Sequence, residues 1–95
     1  MLVLLVQFTV KAGTETQARH HIKIMQENTR KEPGCRLYVG QQSCKDPRKF
    51  CFYEEYDDAA ALDAHRASPY FRDNITNGLE KIFDSVTREL YQPVE

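Results

Sequence analysis

Nine residues near the start of the chain, LVLLVQFTV at positions 2–10, set a demand that the other residues must meet. In an extended conformation Leu2, Leu4, Val6, Phe8 and Val10 share one face, and Val3 and Leu5 put apolar groups on the other. A strand apolar on both sides belongs inside a sheet covered on both sides. The chain has 95 residues, so one domain, residues 1–95, is expected, with little material to supply two covers.

Beyond Val10 the chain alternates between helical and extended patterns. In KAGTETQ, Gly13 marks a turn, and Thr14 with Gln17 has the spacing of a capping box. A helix is expected from about Glu15 to Lys31, with Ala18, Ile22, Met25 and Thr29 on its buried stripe and His21, Ile24 and Asn28 beside it. EPG at 32–34 ends it. Strands are expected over about Cys35–Ser43 and Phe50–Tyr56, joined by a turn at Asp46-Pro47. A short helix over about Asp58–Ala67 takes Asp57 or Asp58 as its cap. Ser68-Pro69 then opens a further helical piece that ends near Asn77-Gly78, before a last strand over about Asp84–Tyr91.

This order, β-α-β-β-α-β with the second helix broken, is the ferredoxin-like α+β plan: an antiparallel sheet with helices on one face. The other face then carries Val3, Leu5, Cys51 and Tyr53 with nothing to cover them. A second copy packed sheet to sheet, as a homodimer, answers the demand of the first strand.

Several function classes drop out. With 13 basic and 14 acidic residues the chain has no electrostatic footprint for nucleic acid or an anionic membrane. The apolar opening is too short to span a bilayer and lacks the flanks of a signal peptide. Three cysteines, Cys35, Cys44 and Cys51, fit no zinc spacing and read as reduced thiols in the cytoplasm, with a Cys44–Cys51 bridge as the alternative. The glycines are Gly13, Gly34, Gly40 and Gly78, so no dinucleotide or phosphate loop can be built. No metal-ligand cluster is evident, and no cofactor or metal is expected.

The candidate chemistry lies in YEEYDDAAALDAHRASPYF, residues 53–71. Strand alternation sets Glu54 on one face with Phe50, Phe52 and Tyr56, and turns Glu55 to the other. A carboxylate in apolar surroundings is either a structural ion pair or a tuned acid–base group. His65 follows Ala61 by four residues and Leu62 by three, on the apolar side of its helix. It is either a satisfied core side chain or, with Glu54, a general base. His21 and Asn28 flank the first helix's buried stripe, as a polar shoulder or as groups reaching a cavity between helix and sheet. Tyr56, Tyr70 and Phe71 suit both core packing and a flat aromatic ligand.

EPGCRLY (32–38), DPRKFCFYEEY (46–56) and AHRASPYF (64–71) together resemble the antibiotic biosynthesis monooxygenase superfamily, in the joint pattern E-P-G, D-P-x-x-F, E-x-aromatic, H-x-x-S-P. The resemblance implies a dimeric α+β barrel with a pocket between the sheet and helices of each subunit. It sets Glu54, Tyr56 and His65 at the positions of the family's typical Glu, Trp and His. Tyr56 in place of that Trp, in a chain with no tryptophan, sets it apart from the haem-degrading relatives.

Three functions compete. One is a monooxygenase without a cofactor acting on a small quinol, with His65 as base oriented by Glu54, and Tyr56, Tyr70 and Phe71 walling the pocket. The next is an isomerase of a small phosphorylated keto-sugar, of the autoinducer-2 breakdown type, which needs a phosphate site such as Arg66 or Arg72. The last is a dimeric ligand-binding module without catalysis.

Overall fold

The computed structural model describes residues 1–95. Its elements run β1 (Leu2–Val10), α1 (Glu15–Thr29), β2 (Cys35–Gln42), β3 (Lys49–Tyr56), α2 (Ala59–Arg66), a one-turn α3 (Pro69–Phe71), a π-helical turn (Arg72–Thr76), a 3-10 turn (Leu79–Lys81) and β4 (Phe83–Tyr91). The four strands pair antiparallel in the order β2-β3-β1-β4, the expected ferredoxin-like α+β arrangement.

The central place of β1 follows from its two apolar faces. Leu4, Val6, Phe8 and Val10 are buried beneath the helices, and Val3 is buried on the opposite side. Register then fixes which side chains meet. Leu4 lies opposite Glu54 on β3 and Leu90 on β4, and Tyr38 of β2 continues the row beyond Glu54. The next row on the same face is Gly40, Phe52, Val6 and Arg88.

The core forms where α1 and the 3-10 turn press on this face, with Ile22, Met25, Leu79 and Ile82 against the phenylalanines of β1 and β3. Phe8 alone packs against the rings of Phe50, Phe52 and Phe83. Each such large apolar side chain contributes about 1.5–3 kcal/mol by leaving water. Gly40 lets α1 come this close: a Cβ there would stand 2.3 Å from Ile22 Cγ2. Its amide instead donates to Gln26 Oε1 at 2.8 Å.

The structure departs from the sequence reading in four places. The capping box does not form: the Thr14 hydroxyl donates back to the Lys11 carbonyl, and Glu15 Oε1 accepts from the Gly13 amide. Helix α1 stops at Thr29 rather than Lys31, and the Glu32 amide closes a turn onto the Thr29 carbonyl at 3.0 Å. The piece after Ser68 leaves α geometry after one turn, because Asn74 is drawn inward. Its Oδ1 pairs with His21 Nδ1 at 2.9 Å and its Nδ2 donates to the Tyr70 carbonyl at 2.9 Å. The Asn77 amide reaches five residues back to Arg72 O, which is the π pattern. Finally, β4 starts at Phe83, with an irregularity opposite Thr9 and Val10 where Asp84 turns out to meet Arg48.

All three cysteines are free thiols, so Cys44 and Cys51 form no bridge, and Cys51 Sγ donates to Gln41 Oε1 at 3.0 Å. No helix is long and apolar enough to cross a membrane.

Candidate active site

Between the sheet and the α2–α3 region lies a cavity of about 40 Å³. Leu4, Val6 and Phe52 form its floor, Phe71 and Ile75 its roof, and Glu54 with His65 its polar end. Tyr38, Phe83, Arg66 and Arg88 complete the lining. A larger hollow of about 780 Å³ on the outer face of the sheet, around Gln7, Gln41, Cys51 and Thr87, is open and lies across the sheet from His65.

Strand alternation alone puts Glu54 here. It is 3% exposed, between Phe52 and Tyr56 on the buried face of β3. The Tyr56 hydroxyl reaches back along the strand and donates to Glu54 Oε1 at 2.5 Å. Burial pushes the Glu54 carboxyl up from 4.5 to about 7. The Tyr56 phenol and the Arg66 and Arg88 guanidiniums oppose that rise, and the charge of Glu32 adds to it. Burial, followed by the charge of Glu54, likewise raises the Tyr56 phenol, so Tyr56 stays a hydrogen-bond donor.

His65 arrives from above. Asp58 caps α2 by accepting from the Ala61 amide at 2.9 Å, and Ser68 accepts from the Phe71 amide at the start of α3. The Ser68 hydroxyl also donates to the His65 carbonyl at 2.8 Å, which fixes the end of α2. Tyr38, Tyr56 and Phe71 surround the imidazole at centroid distances of 5.6, 5.4 and 5.3 Å, the last edge-on. Burial holds His65 below its ordinary 6.5, against the pull of Glu32.

The sequence reading has Glu54 orienting His65, and here the structure corrects it. The partner of His65 Nδ1 is Glu32 Oε2, at 3.0 Å. Glu54 Oε1 stands 3.9 Å from Nε2, beyond hydrogen-bond range. A carboxylate accepts only, so Nδ1 carries the proton and Nε2 of the neutral ring presents a bare lone pair. Glu32 Oε2 also accepts from the Tyr70 hydroxyl. Burial and this contact push the Tyr70 phenol up to about 12.

Of the residues singled out from sequence, Glu54, His65 and Phe71 line the cavity itself. Tyr56 and Tyr70 stand one step behind, each holding a carboxylate. His21 turns to Asn74, and Asn28 donates to the Ile24 carbonyl of its own helix at 2.9 Å, so neither reaches the cavity. Arg72 does not line it either. Sequence reasoning treats Glu32 as part of a helix stop and Arg88 as an ordinary strand residue. The available signals were the E-P-G motif for Glu32 and, for Arg88, a charge on the face shared with Val86 and Leu90.

No group of three or more His, Cys, Asp or Glu side chains has the geometry to hold a metal ion. The arrangement is suited to acid–base chemistry: a buried base and a carboxyl that titrates near neutrality stand side by side at the polar end of an apolar chamber.

Known proteins share this arrangement of the chain. A crystal structure described as an antibiotic biosynthesis monooxygenase superposes with a TM-score of 0.93, at 30% identity over 100% of both chains. A Pseudomonas aeruginosa protein superposes at 0.92 with 23% identity, over 99% of this chain and 94% of its own, which speaks to fold alone. An uncharacterized protein of Synechocystis sp. is 29% identical over 69 residues, 73% of this chain. The match spans about half of that relative, 47% of its length. The family model for antibiotic biosynthesis monooxygenases matches residues 1–76. The E-P-G, E-x-aromatic and H-x-x-S-P motifs supply the Glu32–His65 and Tyr56–Glu54 pairs of this site, and the chain belongs to the antibiotic biosynthesis monooxygenase family.

Proposed function

We propose that this protein is a monooxygenase that oxidises a small quinol-type aromatic with dioxygen, without a cofactor. The observation that carries the reading is His65 Nε2, a lone pair facing an apolar chamber, with its ring locked from behind by Glu32. A base in this position takes the proton of a phenol. The resulting anion passes one electron to dioxygen, and the semiquinone and superoxide combine at a ring carbon. The peroxide then breaks, one oxygen staying on the ring and the other leaving as water. Hydroquinone and dioxygen become a hydroxyquinone and water, and all electrons come from the substrate. Glu54, protonated up to about 7, supplies the proton for the departing oxygen. Excluding water from the chamber protects the radical pair.

Family membership and the 30% identical monooxygenase structure support the reading. Its test is oxygen consumption with a panel of quinols in a metal-stripped sample. Wild type should consume dioxygen in step with quinol, and His65→Ala should lose most of that rate. A His65→Ala variant as fast as wild type overturns it, and so does turnover indifferent to dioxygen.

The working form is a homodimer joined through the outer sheet face. Val3, Leu5 and Tyr53 form an apolar hollow there with Tyr91 and Pro93, and a second copy is the cover that β1 requires. The three free thiols suit a reducing compartment, and the reading places the protein in the cytoplasm.

A further inference from the structure

Seven arginines are present, and four have partners within the chain: Arg19 with Thr16, Arg30 with Tyr38 and Gln26, Arg36 with Asp57, and Arg48 with Asp84. The side chains of Arg66, Arg72 and Arg88 make no hydrogen bond or salt bridge within the chain. Two of these three, Arg66 and Arg88, line the cavity that holds Glu54 and His65. They reach it from different elements. Arg66 follows His65 in the last turn of α2, and Arg88 lies opposite Val6 on the helix-covered face of β4.

The neighbours of Arg88 on the same face are Val86 and Leu90, and the row across the sheet is Gly40, Phe52 and Val6. Arg88 is exposed on this edge strand, as Arg66 is at the end of α2, so both guanidiniums reach the cavity from its open side, where water and no fixed counter-ion surrounds them. Glu54 does not fill the role: its nearest fixed partner is the Tyr56 hydroxyl, and burial favours its neutral form. Glu32 is taken up by His65 and Tyr70. Two cations therefore face the chamber with no committed anion.

We infer that Arg66 and Arg88 form an anion-binding pair, and that the substrate is a small phenol carrying a carboxylate or phosphate group. The anion sits between the two guanidiniums, whose planar forks suit its oxygens. The aromatic body then lies over Phe52 beneath Phe71, with its hydroxyl toward His65. This deepens the proposed function and rests on the same cavity, but it concerns binding alone and is tested without dioxygen.

The experiment is anaerobic calorimetric titration with four probes: hydroquinone, its carboxylate (dihydroxybenzoate), the methyl ester of that acid, and hydroquinone monophosphate. Wild type should bind at least one anionic probe more tightly than hydroquinone and the ester, by about tenfold to a hundredfold, as for a charge-assisted contact. The acid and the phosphate distinguish the two forms of the anion. Arg66→Gln and Arg88→Gln should each lose most of the preference, and added salt should weaken it. Arg72→Gln, outside the cavity, should keep it. Anionic and neutral probes bound alike, or no probe bound, overturns the inference. An inward charge on an edge strand can also serve only to block edge pairing. An Arg88→Gln variant that forms assemblies larger than wild type yet keeps the wild-type preference assigns Arg88 to that role and overturns the pair. Anion preference without oxygen consumption would leave the inference standing and remove the oxygenase, and neutral quinols oxidised without anion preference would do the reverse.

Discussion

Replacing Glu54 by glutamine should change how stability depends on pH, in a direction and size the structure sets. Glu54 is 3% exposed, and burial lifts its carboxyl from 4.5 to about 7. Below 4.5 it is protonated in both folded and unfolded chains and costs nothing. As pH rises through 4.5 the unfolded chain ionises first, and folding must hold a proton that the unfolded chain releases. Stability is therefore present at low pH and lost as pH climbs to about 7. At 1.36 kcal/mol per pH unit the loss comes to about 3 kcal/mol. Glutamine is neutral throughout and still accepts the Tyr56 hydroxyl bond through its carbonyl oxygen. Wild type should fall relative to Glu54→Gln by about 3 kcal/mol between about pH 4 and about pH 8. His65 acts in the opposite sense. Its depressed value makes stability present above 6.5 and lost as pH falls, but burial, Glu32 and Arg66 set that shift, so it is common to both proteins. Urea unfolding followed by tyrosine fluorescence, in a chain without tryptophan, gives the two curves. Parallel curves across that range would refute a desolvated Glu54.

Glu32→Gln keeps the shape of the Glu32 side chain but offers His65 Nδ1 a weaker acceptor. Quinol oxidation should fall about tenfold or more, with a change in the nitrogen resonances of His65 that a merely structural role would not produce. Gly34→Ala should act through position: its Cβ would stand 2.5 Å from the Ala61 Cβ, so α2 must shift and carry His65 with it. Thermal denaturation should show about 1–3 kcal/mol of destabilisation, and activity should fall further than in an equally destabilised variant on the β2–β3 hairpin.

The strands were legible because each element states its own periodicity. Phe50, Phe52, Glu54 and Tyr56 alternate cleanly, and a strand paired on both sides has no freedom to turn them elsewhere. The place of His65 could be read from its spacing to Ala61 and Leu62, since a helix laid on that strand presents one stripe. Glu32 could not be read in this way. It lies 33 residues from His65, in a turn with no periodicity, and the two meet only when β2, β3 and α2 are assembled. Asn74 hides for a related reason. Its inward turn exists because His21, 53 residues away, supplies a partner, and that contact draws the backbone out of α geometry. Thr14 shows the limit of local motifs: a nearby carbonyl at Lys11 took the hydroxyl that the capping box required.

The size of the chamber bears on timing. At about 40 Å³ it holds little more than one water molecule, whose share of the liquid is about 30 Å³. A ring the size of a phenol needs more room than this, and the side chains that would yield it, Phe71 and Ile75, sit on the stretch that Asn74 ties to α1. Apparent affinity is then the intrinsic affinity scaled by the fraction of molecules with the roof raised. Association should level off as ligand concentration rises, at the opening rate of that stretch. On that reading, weakening the His21–Asn74 bond, for instance by His21→Ala, should raise the limiting association rate, and an unchanged rate would deny the bond any part in opening.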